Sequence, residues 1–218
     1  MIGQVVAVFG GAAWMAGDVI RWFPLDRIPE LEAAIAGELA SRRRTTRRDA
    51  CGVALGLHGL RVGEVVRAKT RDLFAAGAVL EVPPFKRGRG RRIRLHASLL
   101  AALQAEIADR TAKSDRLLCN CRGGPVSHTQ LQAMADRIFQ RLLGQAHGLT
   151  FHSLRHTFAM RLYAETRDLF LVQSKLGHRS VKSTEVYARS LADVPDSCLV
   201  NVASGVIQPG QQLRLFSA

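Results

Sequence analysis

His152-Ser153-Leu154-Arg155-His156, followed by Leu176-Gly177-His178 and then Tyr187, is the stretch on which the reading of this 218-residue chain turns. The second histidine lies 23 residues after the arginine, and the tyrosine nine residues after that histidine. Such spacing is a poor way to build a core. It suits a phosphoryl-transfer site, because a phenolate nucleophile needs cationic and imidazole donors around the phosphate it attacks. His152 and Arg155 are i, i+3 neighbours and share a helix face. His152, titrating near neutrality, is suited to shuttle the tyrosine proton. His156 is read as lying on another face, a packing or backbone-bonding histidine. His178 follows Gly177, a helix-terminating position that turns its imidazole towards the site. Of the two tyrosines, Tyr163 falls on an apolar helix face and is read as core, which leaves Tyr187 as the nucleophile.

Further basic elements lie upstream. Arg61, in Gly59-Leu60-Arg61-Val62-Gly63-Glu64, pairs with Arg155 as a clamp on the phosphate oxygens. Glu64 sits one helical turn on, either orienting Arg61 by an ion pair or making a simple surface pair with it. Lys86-Arg87-Gly88-Arg89-Gly90-Arg91-Arg92-Ile93-Arg94-Leu95 reads as a basic hairpin for backbone contact, with no single cation standing out. Arg42, Arg43, Arg44, Arg47 and Arg48 form a run that is either a solvated linker or an arm on a DNA backbone. With Arg87, Arg89, Arg91 and Arg92 they make up the expected DNA-binding set.

Composition agrees. The formal charge is +13, from 31 basic against 18 acidic residues, and the excess is arginine, which grips phosphate in a bidentate manner. A nucleic-acid partner follows, bound less tightly as salt rises; an anionic membrane surface is the weaker reading. With 47% hydrophobic residues the chain has enough apolar surface to bury a core. Cys51, Cys119, Cys121 and Cys198 make no metal signature and no disulfide framework, and His152 and His178 lack a carboxylate or thiol partner at ligand spacing, so no metal and no cofactor are expected. Residues 1–20 are apolar, without the basic start of a secretory signal, and Gly-interrupted for a membrane span.

The periodicity predicts a mainly helical α+β fold with one small antiparallel sheet. Helices are expected at 30–39, with Leu31, Ile35 and Leu39 on one stripe, at 49–58, and over 61–69 with Val62, Val65 and Val66 inward. Val79–Val82 and Arg91–Leu95 read as strands. Further helices are expected at 97–110, 127–145, 153–165, 168–177 and 180–189, with Ser127, Ser153 and Ser180 as N-caps. Three segments result: an apolar leader of unknown role (1–28), a catalytic domain (29–192), and a tail (193–218) that packs on its own domain or on a neighbouring protomer.

Arg61, Lys86, His152, Arg155, His178 and Tyr187 occur in the order of the catalytic residues of the tyrosine recombinase (phage integrase) family. Local context agrees in Gly-Leu-Arg, His-x-Leu-Arg-His, Leu-Gly-His and Val-Tyr-Ala, so residues 30–190 resemble that family's catalytic domain. The resemblance alone selects Lys86 as the hairpin lysine that gives a proton to the departing 5′ oxygen. It implies a covalent 3′-phosphotyrosyl DNA intermediate and religation without ATP or metal. It further implies double-stranded DNA as partner and a homo-oligomer, conventionally a tetramer, with or without another recombinase, in the cytoplasm on the nucleoid. The departure is at the N-terminus, where about 40 residues precede the catalytic helices and a separate core-binding domain does not fit. Three activities stay open: a site-specific recombinase, a DNA-relaxing enzyme of the same chemistry, and a non-catalytic DNA-binding protein.

Overall fold

A computed structural model describes residues 20–85, 89–144 and 148–192. Lys86, Arg87, Cys198, the 193–218 tail and residues 1–19 lie outside the described residues.

The first helix, α1 (Ile28–Leu39), buries Ile28, Leu31, Ile35 and Leu39, one residue per turn or nearly so, as its apolar stripe predicts. α2 (Arg44–Leu57) is the central helix and is buried from Arg48 through Leu57. It packs against α1 and against α4 (Ala97–Ala108), α5 (His128–Leu143) and α6 (Phe151–Thr166). Such close approach needs small residues: a Cβ at Gly56 would stand 2.8 Å from Phe151 Cζ, and one at Gly52 would overlap Leu131. The short helix α3 (Val62–Arg67) leads into β1 (Leu73–Phe74), β2 (Val79–Val82) and β3 (Arg91–Arg94), an antiparallel sheet in the order β1-β2-β3. Leu80 faces Ile93 and Val82 faces Arg91 across the β2–β3 pair, with Leu80 and Val82 buried. α7 (Leu169–Leu176) and α8 (Lys182–Ala192) close the described chain.

Two apolar clusters result. The larger gathers around α2. The smaller joins Trp22, Phe158, Met160, Leu162, Val172, Leu176 and Tyr187 beneath α6, α7 and α8. Residues 22 and 23 therefore belong to the packed domain and not to a loose leader. Phe23 stacks on Phe139 at 6.0 Å between ring centroids, and its N–H donates to Thr157 Oγ1 at 2.8 Å.

The expected elements form, with three corrections. α2 starts at Arg44, not Asp49, so the arginine run is half helix. β1 went unread because two residues carry no alternation. The N-terminus of α6 is Thr150, whose N–H donates to Ser153 Oγ at 3.1 Å, so Ser153 stands inside the helix and not at its cap. Ser127 caps α5 as expected, accepting from the Gln130 N–H. No helix among the described residues is long and apolar enough to cross a membrane.

Candidate active site

Glu64 is the anchor of the site. It lies in the first turn of α3, 5% exposed, and its Oε2 accepts from the Arg61 N–H at 2.8 Å while Oε1 accepts from Arg61 Nη1 at 3.2 Å. Arg91 reaches it from β3 as a two-pronged donor, Nη1 to Oε1 at 3.0 Å and Nη2 to Oε2 at 2.8 Å. Arg155 Nη1 stands 3.8 Å from Glu64 Oε2. Burial alone would raise the Glu64 pKa. Hydrogen bonds and charge from Arg91, the Arg61 N–H and Arg155 outweigh it and hold the carboxyl below its ordinary range, so the group is an anion.

Arg155, on α6, is 1% exposed and fixed by carbonyls. Its Nη1 donates to Gly59 O, and its Nη2 donates to Leu176 O at 2.9 Å and to His178 Nε2 at 3.0 Å. Burial, then Arg61 and Arg91, pull its pKa down to about 9, so it stays a cation at neutral pH. Arg61, by contrast, leaves 30% of its side chain open to solvent. Arg155 is held by three acceptors, while Arg61 gives one Nη1 bond to Glu64 and keeps part of its side chain open to solvent.

His178 is aimed by the end of α7. Gly177 takes φ +67°, and a Cβ there would stand 2.7 Å from Arg89 O. Arg89 N–H in turn donates to Gly177 O at 3.0 Å, which ties the hairpin to this turn. Because Arg155 donates to Nε2, the His178 proton sits on Nδ1 and is donated to Thr184 Oγ1 at 3.1 Å. Burial, followed by Arg155, Arg61 and Arg91, lowers the His178 pKa to about 3.

Tyr187, on α8, is 2% exposed. Its hydroxyl meets His156 Nδ1 at 3.0 Å, and burial pushes its pKa up to about 12 against the pull of Arg155 and Arg61. The His156 ring packs edge-on against that of His152, with centroids 4.5 Å apart. His152 faces solvent on one side, and partial burial, then Arg155 and Arg61, lower its pKa. Burial, then His152, Arg155 and His178, lower that of His156 to about 3.

Arg61, His152, Arg155, His178 and Tyr187 are thus brought into one linked group, with Glu64 inside it. The reading of His156 is corrected: positions 152 and 156 are i, i+4 neighbours and share a face, so His156 faces Tyr187. That spacing was the available signal. Four members of the arginine set are corrected too. Arg48 and Arg91 are buried, against Asp49 and Glu64, and Arg44 and Arg47 pair with Glu106 and Asp109 of the α4 end. A helix beginning at Arg44 puts 44, 47 and 48 on one side, towards α4 and the core. Arg42, Arg43 and Arg89 are exposed, as is Arg92, which pairs with Glu81.

The histidines make stability depend on pH. His58, buried, has its pKa lowered to about 4 by burial first, and His156 and His178 are lowered further. Their folded pKa values lie below the unfolded value, so the unfolded chain binds more protons and stability drops as pH falls from about 6.5. Glu32, Asp49 and Glu106 are raised, chiefly by burial, and act in the opposite sense. The melting temperature is expected to fall between pH 7 and 5.5, the sense set by these three histidines and opposed by the raised carboxylates. A Tm that rises as pH falls over that range would show that the histidines do not set the balance.

Among known proteins, the sequence model of the Phage integrase family matches residues 27–193. The chain belongs to the phage integrase family. Tyrosine recombinase XerC of Haemophilus ducreyi is 35% identical over 133 residues, covering 59% of this chain and 43% of that protein. XerC of Bradyrhizobium diazoefficiens is 31% identical over 173 residues, covering 75% of this chain and 53% of that one. The crystal structure of XerH site-specific recombinase bound to difH substrate superposes with a TM-score of 0.66 at 22% identity, over 82% of this chain and 54% of that one. The family fold is therefore present, and the chain spans about half the length of the curated relatives it matches.

Proposed function

We propose that this phage integrase family chain is a site-specific DNA recombinase that cleaves and rejoins double-stranded DNA through a phosphotyrosyl bond at Tyr187. The observation that supports the reading is the gathering of Arg61, Arg155, His178 and Tyr187 around the Glu64 anchor, close enough for both arginines to act on the phenol. Arg61 and Arg155 neutralise the non-bridging oxygens as charge builds at phosphorus, and His178, which accepts from Arg155 at Nε2 and donates to Thr184 from Nδ1, orients that arginine. The Tyr187 oxygen attacks, the 3′ phosphate becomes attached to it, and the 5′ oxygen leaves with a proton. Lys86, chosen by resemblance, is the proposed source of that proton.

Arg42, Arg43, Arg89 and Arg92 are the proposed backbone contacts, since their guanidinium groups are at the surface. A complete exchange of strands joins four copies on DNA in this reading, with the tail as a linking element. The test is trapping on nicked suicide duplexes, drawn from pooled random sequence and from DNA flanking the source locus. A covalent adduct whose nucleotide-bearing peptide maps by mass spectrometry to Tyr187 is the expected result. An adduct mapped elsewhere, or none on any duplex, overturns the reading.

A further inference from the structure

We infer that Arg91 is a positioning residue for strand cleavage, a buried strut that sets where Arg61, Arg155 and His178 stand relative to one another; the inference rests on the recombinase reading above. The Arg91 side chain is 5% exposed, too little for a contact with a DNA backbone at the surface. It touches instead one support of each of the three groups. Glu64 accepts from the Arg61 N–H and from Arg61 Nη1. The same carboxylate receives Arg91 Nη1 on Oε1 at 3.0 Å and Arg91 Nη2 on Oε2 at 2.8 Å. The Gly59 carbonyl accepts from Arg155 Nη1 and also from Arg91 Nη2, the latter at 3.1 Å. Gly177, whose turn aims His178, packs on the same guanidinium: a Cβ at that glycine would stand 3.2 Å from Arg91 Nη1. Two residues back along the chain, the Arg89 N–H donates to Gly177 O and fastens β3 to this turn.

Three separate stretches of chain therefore meet on one side chain: the loop ahead of α3, the first turn of α3, and the end of α7. α3 is only six residues long, too short to hold its own direction without support from outside. A planar guanidinium offers donors at fixed angles, and here it grips both carboxylate oxygens and a carbonyl at once. That grip makes one frame of three segments. An ammonium in its place would keep the charge, but a single nitrogen on a flexible stem cannot reproduce the fork. Charge supports the same assignment. Burial opposes ionisation of Glu64, and Arg91 stands first among the groups that overcome it. The frame matters to rate because a reacting group misplaced by about 1 Å can cost on the order of a hundredfold. Arg91 touches no reacting atom in this account; it acts through Glu64, Gly59 and Gly177.

The test has two arms. Without DNA, the ring 15N signals of His178 are followed in histidine-labelled protein; they are expected to move in Arg91→Lys, and unmoved signals overturn the link to the α7 turn. With a duplex that wild-type protein cleaves, single-turnover adduct formation is measured at a temperature where every variant is folded by its melting curve. Arg91→Lys is expected to slow it about tenfold or more and Arg91→Met about a hundredfold, since both lose the fork and only the first keeps the charge. The affinity for the duplex should stay unchanged in both. Arg48→Met, which breaks a buried ion pair with Asp49 elsewhere on α2, is the control. It is expected to lower the melting temperature and leave the rate of the folded protein unchanged. Adduct formed by Arg91→Lys at the wild-type rate overturns the inference. So does an affinity that falls in step with the rate, which would make Arg91 a DNA contact, or an equal slowing by Arg48→Met, which would make the loss a general loosening. Absence of adduct from wild-type protein overturns the recombinase reading instead.

Discussion

Tyr187→Phe is expected to remove the covalent adduct completely while leaving DNA affinity and the fold almost intact. The substitution deletes one oxygen. The ring keeps its place among Trp22, Phe158, Leu162 and Leu176, so no cavity opens and the apolar burial of the smaller cluster survives. What is lost inside the protein is the hydrogen bond with His156 Nδ1, a cost of about 1–3 kcal/mol because that nitrogen is left without its partner. In the proposed reading phosphate is bound by Arg61, Arg155 and the surface arginines, and among the described residues the hydroxyl's hydrogen bond is with His156. Binding measured by anisotropy and adduct measured on a denaturing gel should therefore part company. Residual adduct in the variant would mean that another side chain is the nucleophile.

Glu64→Gln is expected to damage both stability and chemistry. Among the described residues the carboxylate is the acid that faces three arginines, and the side chains of two of these, Arg91 and Arg155, are themselves buried. Removing one partner of a buried ion pair costs about 3–5 kcal/mol, since the remaining charge stays in a poor dielectric. A melt in urea should show a loss of that order. At temperatures where the variant is folded, adduct formation should fall by about a hundredfold or more, the range seen when one donor to a developing oxyanion is lost, because Arg61 loses the carboxylate that aims it. Adding Arg91→Met to Glu64→Gln removes one of the stranded charges and should restore part of the stability without restoring the rate. That split separates the cost of a buried charge from the cost of a misplaced clamp. A Glu64→Gln variant as stable as the wild type would show that the three arginines do not depend on this carboxylate.

Much of this was legible in the residues because the relevant rules are local. An apolar stripe at helical spacing determined α1 by itself, and Val79–Val82 facing Arg91–Arg94 followed from alternation and the glycines between. The order Arg61, His152, Arg155, His178, Tyr187 pointed to side chains that the fold does bring near one another, and a Gly177 ahead of His178 forecast the turn that aims it.

Tertiary structure decided the rest, wherever a side chain's role depends on what arrives from elsewhere in the chain. A run of arginines looks uniformly cationic in sequence. Only α4 bringing Glu106 and Asp109 to Arg44 and Arg47, and β3 bringing Arg91 to Glu64, separates the structural cations from Arg42, Arg43 and Arg89 at the surface. His156 and Tyr187 lie 31 residues apart, and nothing local links them. The packing of α8 on α6 does, and burial keeps the imidazole neutral and the phenol protonated. Residue types and helical period are properties of the chain; desolvation and long-range pairing are properties of the fold, and these set the charges on which the chemistry turns.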